Sequence, residues 1–202
     1  IRLIADVAQA AGGARTCPSD INAKDYNLIG AALAVYENDP NCFVFNQVFP
    51  GGFTPSFGGD VMDFAVAAGI KGTTKGGTMY DVSLSIGENT ADYYIENTLN
   101  GSLGPKSPTS FNPGSYIQLE KNFNVDLVTQ VDVEGWASDL NVAYGLEFRE
   151  EQFTVVSGNK ESWEIGPYFD QGFGIGSNGF GGFNPDMAGV WDRNNIALYV
   201  DL

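Results

Sequence analysis

Residues 140–148 alternate without a break: Leu140, Val142, Tyr144, Leu146 and Phe148 are apolar or aromatic, while Asn141, Ala143, Gly145, Glu147 and then Arg149 are small or polar. A period of two places every second side chain on one face of an extended strand, whereas a helix would scatter those five residues around its circumference. The same pattern recurs along the chain. Met62, Phe64, Val66, Ala68 and Ile70 oppose Asp63, Ala65, Ala67, Gly69 and Lys71, and Tyr80, Val82, Leu84 and Ile86 oppose Asp81, Ser83, Ser85 and Gly87. Ile117, Leu119, Phe123, Val125 and Leu127 oppose Gln118, Glu120, Asn122, Asn124 and Asp126, with Lys121 as the one intruder on the apolar side. Finally Ile196, Leu198, Val200 and Leu202 oppose Asn195, Ala197, Tyr199 and Asp201. An all-β chain of five predicted strands follows, each with one apolar and one wet face. The 26 Gly, 14 Phe and 9 Tyr agree with strands and turns rather than helices.

The connections are unequal. Thr73-Thr74-Lys75-Gly76-Gly77 and the region of Glu134-Gly135 read as short turns. By contrast, residues 49–59 and 158–191 are Gly-rich and aromatic without period, and Pro105 and Pro108 remove ladder donors from the segment after the second strand. Ahead of the strands, apolar residues at helical spacing predict a short helix over residues 1–11, ended by Gly12-Gly13. A second is predicted over residues 26–36, stopped by Asn38-Asp39-Pro40. Tight turns at one end and long loops at the other are how antiparallel transmembrane β-barrels of the outer membrane are built. A soluble antiparallel sandwich alternates equally well and packs its apolar face on a second sheet; the pattern leaves both open. No apolar run reaches 18 residues, which excludes a spanning helix and says nothing of a spanning strand.

A formal charge of −15 repels polyanions, so nucleic acid is not expected as a partner. Without His, neither a Ser-His-Asp nor a Cys-His nucleophile can be assembled, and no metal or other cofactor is expected. Glu147, Glu150 and Glu151 are better read as a solvated charge row beside Arg149 than as a pair of glycosidase carboxylates, so no catalytic residue is assigned and the chain is not expected to be an enzyme. Residues 174–179 (GIGSNG) imitate a dinucleotide fingerprint, but aromatic glycine text follows where a helix is required. Cys17 and Cys42 are an even pair in a His-free chain. They predict a disulfide formed outside the reducing cytoplasm, the alternative being two buried thiols. Ile1-Arg2-Leu3 has neither an initiating Met nor signal-peptide features, and is expected to lie within a longer protein or to follow a processing site.

Several motifs in register carry a family resemblance: Pro50-Gly51-Gly52-Phe53-Thr54-Pro55, residues 97–104 (NTLNGSLG), residues 108–114 (PTSFNPG), residues 140–153 (LNVAYGLEFREEQF), Gly176-Ser177-Asn178-Gly179-Phe180 and residues 191–199 (WDRNNIALY). Over about three-quarters of the chain this text resembles TonB-dependent receptors, the active transporters of the bacterial outer membrane, and specifically part of their β-barrel domain. The resemblance implies energy-coupled uptake of a scarce small ligand such as an iron chelate, a vitamin or an oligosaccharide. The expected partners are then outer-membrane lipid, the remainder of the barrel with its plug domain, and TonB acting through the part not present here. Five strands fall far short of the roughly 22 that close such a transporter.

On this reading residues 1–59 form an extracellular loop region and residues 60–202 the strands and loops of a partial barrel. Residues 17–59, 99–113 and 158–191 face outwards. Ligand-binding candidates are the loop aromatics Trp163, Tyr168, Phe169, Phe173, Phe180 and Phe183, which could stack on a sugar or a chelate or simply pack on one another. The alternative function is a secreted or surface β-sandwich that binds carbohydrate through the same loops.

Overall fold

The structure, a computed structural model, describes residues 4–18 and 31–202. About half of it is strand. Ala5–Asp6 (β1) leads directly into a single helical turn, Val7–Ala10 (α1). The helix Ala31–Asn38 (α2) is followed by Cys42–Phe43 (β2). Five long strands then form one antiparallel sheet in chain order: Ser56–Thr73 (β3), Met79–Glu96 (β4), Ser110–Val131 (β5), Leu140–Ser157 (β6) and Gly189–Asp201 (β7). β3 and β7 are its edges, so these strands form an open sheet and not a closed barrel.

All five predicted strands are present, and each extends beyond its alternating stretch. β3 begins at Ser56, inside what reads as a Gly-Pro loop, because Tyr94 and Tyr93 of β4 cover its glycines. A Cβ on Gly58 would lie 2.5 Å from the Tyr94 ring, and one on Gly59 would lie 3.2 Å from that of Tyr93. A glycine beneath a cross-strand aromatic ring gains the packing that its own side chain cannot supply.

The N-terminal helix expectation needs correction. Ala5 and Asp6 are extended and pair antiparallel with Phe43 and Cys42, so among the described residues of that stretch Val7–Ala10 alone turns as a helix, while residues 1–3 lie outside the described residues. Asp6 makes the switch: its carboxylate accepts from the backbone N–H of Gln9 as an N-cap. In the second predicted helix residues 31–36 belong to α2, which ends at Asn38 as expected, while residues 26–30 lie outside the described residues.

The chain divides into two compact units. The first draws on Ile1–Asp60, Asp92–Ser115 and Val156–Ala188, and the second on Val61–Ala91, Tyr116–Val155 and Gly189–Leu202. The segment expected as residues 1–59 thus shares the first unit with the long connections after β4 and after β6.

In the first unit, Ala5, Phe43, Tyr168 and Phe173 form one buried cluster, with Val7, Ala10, Phe45 and Val48 packed against it. Cys17, Tyr36, Cys42 and Val44 form a second with Ile4. Cys17 and Cys42 are joined in a disulfide with a Cα–Cα distance of 5.1 Å, so the predicted pairing is present. The polar base of the unit is Asn100, fully buried. Its Nδ2 donates to the carbonyls of Glu161 and Glu164, while its Oδ1 accepts from the Ser102 N–H and hydroxyl. One side chain therefore pins the connection after β6 to the connection after β4, with each hydrogen-bonding group occupied as burial requires.

Candidate functional site

The second unit is built on the period-two pattern, and its two faces differ in chemistry. The β6–β7 register pairs Tyr144 with Val200, Leu146 with Leu198 and Phe148 with Ile196 on one face. Along the same pleat the next pairs are Glu150 with Asn194 and Gln152 with Asp192, so the apolar stretch ends sharply after Phe148. The neighbouring strands show the same edge, between Ile86 and Glu88 on β4 and between Phe123 and Lys121 on β5. There Lys121 Nζ meets Glu150 Oε1 at 2.7 Å, so the residue that interrupts the alternation is paired across to β6. Just inside that ion pair lies an apolar groove of about 380 Å³ lined by Val66, Ala68, Leu84, Ile86, Phe123 and Phe148. From Leu140 to Phe148 the band spans about 27 Å of extended chain. It is uncovered most fully on the edge strand β7, where Ile196 is 73%, Leu198 79% and Val200 70% exposed, whereas Leu140, Val142, Tyr144 and Leu146 on β6 are half-buried.

The opposite face is a hydrogen-bonded polar surface. Asn122 Nδ2 donates to Glu120 at 2.7 Å, and its Oδ1 accepts from Arg149 Nε at 3.1 Å. Arg149 also pairs with Glu147 at 3.0 Å. Arg193 forks onto both oxygens of Glu151, whose Oε2 also accepts from Asn195. Asn89 donates to Asp63, and the Tyr199 hydroxyl donates to Asp126. A depression of about 610 Å³ on this face is lined by Asp63, Ser85, Asn89, Gln118, Glu120 and Asn122. Glu147 and Glu151 are thus engaged by arginines, while Glu150 lies on the other face with Lys121.

The six loop aromatics belong to the first unit, but the fold does not bring them to one place. Tyr168 and Phe173 are buried against Phe43, with ring centroids 5.7 and 6.0 Å away. Burial, and then the charge of Asp6, push the Tyr168 hydroxyl above its ordinary pKa. Trp163 is half-buried and donates its indole N–H to the Gly158 carbonyl. Phe169 is exposed. Tyr168 and Phe173 also meet each other, at 6.4 Å, inside the buried cluster, while Phe180 and Phe183 meet at 5.8 Å beside two aromatics that the sequence did not single out. Phe57 lies 4.4 Å from Phe180 and stacks on Tyr93 at 5.5 Å, and Tyr93 in turn lies 5.6 Å from Phe180 and 6.3 Å from Phe183. Phe57 is concealed in the sequence by the surrounding Gly-Pro text, and its membership becomes visible only once β3 is extended to Ser56.

Among the described residues no three metal-ligating side chains stand close enough to share an ion. No described helix is long and apolar enough to cross a membrane, a fact that does not bear on strands. No family model, curated protein or solved structure matches the chain.

Proposed function

We propose that this chain is part of the β-barrel wall of an outer-membrane transporter of the TonB-dependent type, taking up a scarce small ligand. The observation that carries the reading is the two-faced sheet: an apolar band on one side, and on the other several separate hydrogen-bonded groups of carboxylates, amides and arginines. In water an exposed apolar face of this extent is unfavourable, at roughly 25 cal/mol for each Å² left uncovered. In a bilayer the same face meets hydrocarbon, and the polar face lines a wet interior. With strands tilted by roughly 35–45°, the band's ~27 Å of extended chain spans about 20 Å along the membrane normal, of the order of the ~25 Å apolar belt of such barrels. The strands, at 13 to 22 residues, exceed the ~9–11 needed to cross and leave lengths to project beyond the membrane.

The edges β3 and β7 present unpaired backbone groups that hydrocarbon cannot satisfy. On this reading further strands of the same barrel cover them, and the plug and the TonB contact lie in that remainder. The β-sandwich alternative needs a second sheet over the apolar face. Among the described residues the only other sheet is the two-stranded β1–β2 ladder, and Ile196, Leu198 and Val200 are uncovered.

Fractionation of cells making the intact protein tests the reading. The protein is expected in the outer-membrane fraction and is expected to leave it only with detergent; release by high salt alone overturns the proposal.

A further inference from the structure

In the first unit, the turn of α1 and the connections after β4 and after β6 line a cavity of about 400 Å³. Tyr168 is its buried floor, Val7, Ala10 and Leu103 are half-buried walls, and Pro105 and Lys106 stand at the exposed rim. The walls are pinned: the Tyr168 N–H donates to the Ser102 carbonyl at 3.0 Å, the Gly166 N–H donates to Ser102 Oγ at 2.9 Å, and Val7 and Ala10 pack on the cluster that contains Tyr168. Two polar groups of this cavity have no partner. Among the described residues no hydrogen bond reaches the Tyr168 hydroxyl, although the residue is only 5% exposed. No fully buried side-chain oxygen or nitrogen among them is left unpaired, so the small open part of Tyr168 includes that hydroxyl. Its ring lies on the bare backbone of Gly104, where a Cβ would come 2.8 Å from Cζ. The hydroxyl, one bond beyond Cζ, therefore stands at the turn that carries Lys106 two residues on. Lys106 is the one charged side chain lining the cavity, and no carboxylate pairs with it among the described residues.

We infer that this cavity binds a small amphiphilic monocarboxylate, with its apolar body against Val7, Ala10 and Leu103 and its carboxylate held by the Lys106 ammonium and the Tyr168 hydroxyl. An ammonium only donates, and the phenol, kept protonated by burial and by the charge of Asp6, donates beside it. Such a pair answers a charged acceptor, and charge-assisted hydrogen bonds are about twice as strong as neutral ones. The rest of the lining is apolar and would leave the hydroxyls of a polar ligand unanswered. The volume lies near the low end of ligand sites, about 300–1,000 Å³, and suits a single short chain or one ring. The chain's charge of −15 does not exclude an anion here. Fields of exposed charges fade over about 8 Å at physiological ionic strength. The neighbouring Asp6 carboxylate is taken up by the N–H groups of Gln9, Thr16 and Cys17. Binding at this cavity does not depend on the transport reading above.

The test is titration of the purified intact protein with octanoate and with hydrocinnamate, followed by isothermal calorimetry and saturation-transfer NMR. Octanol and octyltrimethylammonium serve as the neutral and cationic counterparts. At least one carboxylate is expected to bind saturably, and at least tenfold more tightly than octanol. Lys106→Gln, at an exposed position, is expected to weaken that binding at least tenfold and Lys106→Arg to retain it. Tyr168→Phe is expected to weaken it severalfold while leaving the unfolding midpoint unchanged, because no hydrogen bond within the protein is lost. If Tyr168→Phe fails to fold, Lys106→Gln decides. Absence of saturable binding by both carboxylates overturns the inference, as does equal affinity in Lys106→Gln, or binding of octanol or octyltrimethylammonium as tight as that of the carboxylates. Carboxylate binding by a protein that salt releases from membranes would overturn the transport reading and leave this site standing.

Discussion

Asp6 and Gln171, 165 positions apart, exchange two hydrogen bonds of 2.8 Å: the Asp6 N–H donates to Gln171 Oε1, and Gln171 Nε2 donates to the Asp6 carbonyl. The side-chain amide thereby imitates a neighbouring strand along the edge of β1, holding the N-terminal segment to the connection after β6. Both residues are buried. Gln171→Leu fills much of the volume but leaves a buried N–H and a buried carbonyl unpaired, and the expected destabilisation of the first unit is about 1–3 kcal/mol. Hydrogen exchange at the Asp6 amide checks this, with protection falling in the variant and unchanged protection counting against the role.

The Asp6 side chain predicts a pH dependence. Burial pushes its carboxyl upward, but the backbone N–H groups of Gln9, Cys17, Thr16 and Ala8 together outweigh burial and leave its pKa below the ordinary value. A folded pKa below the unfolded one means that the stabilisation is fully present above the unfolded value, near 4, and is lost as pH falls through the folded value. Unfolding midpoints measured from pH 7 down to pH 2 should fall below about pH 4 in the unaltered chain. In Asp6→Asn that part of the fall should be missing.

The disulfide closes a span of 25 residues, with both cysteines buried. In the chain-entropy account such a loop stabilises by about 3–4 kcal/mol. Replacing both cysteines with serine should lower the unfolding free energy by that order. Alkylation of both thiols without reductant, read by mass spectrometry, would show that the bridge does not form.

How much of this was legible in the sequence depends on how local the cause is. The strands around Leu140–Phe148 could be read because side-chain parity is a property of consecutive residues. The Cys17–Cys42 pair could be read because only two cysteines exist. The start of β3 could not, because what makes Gly58 and Gly59 extended is the pair of rings at Tyr93 and Tyr94, more than thirty residues away. Ala5 and Asp6 read as helix from their neighbours and become strand through Phe43 and Cys42. The aromatic cluster was legible only by half: Phe180 and Phe183 stand in a segment rich in aromatics, whereas Phe57 and Tyr93 join them solely through pairing of strands.

The apolar band makes a prediction for a position within it. Val142 lies between Leu140 and Tyr144 on the face whose pairs across β7 are Val200, Leu198 and Ile196. On the transport reading its side chain meets hydrocarbon, and Val142→Arg should destabilise the barrel by about 2–4 kcal/mol if the site is near the bilayer midplane. Asn141→Arg, on the polar side of the same strand, should cost far less. A spin label at position 142 in the membrane-inserted protein should be quenched by oxygen and shielded from a water-soluble nickel complex. The opposite accessibility would place this face in water.

Gly145 sets the close approach of three strands. It pairs with Tyr199 on β7, and a Cβ there would lie 2.4 Å from the Tyr199 ring and 2.6 Å from the Val125 carbonyl oxygen on β5. The ring can rotate aside, but the carbonyl belongs to the backbone and moves only with its strand. Gly145→Val is therefore expected to force apart the β5–β6 pairing and to cost about 1–3 kcal/mol, the usual range for overpacking. It should also release the Tyr199 hydroxyl from Asp126, a bond that depends on the ring crossing the bare glycine backbone. Comparing Gly145→Val with Gly145→Val/Tyr199→Ala separates the two contacts. Removing the ring should recover only the part of the loss that the tyrosine causes, because the clash with the Val125 carbonyl persists, and full recovery in the double variant would show that the backbone contact is unimportant.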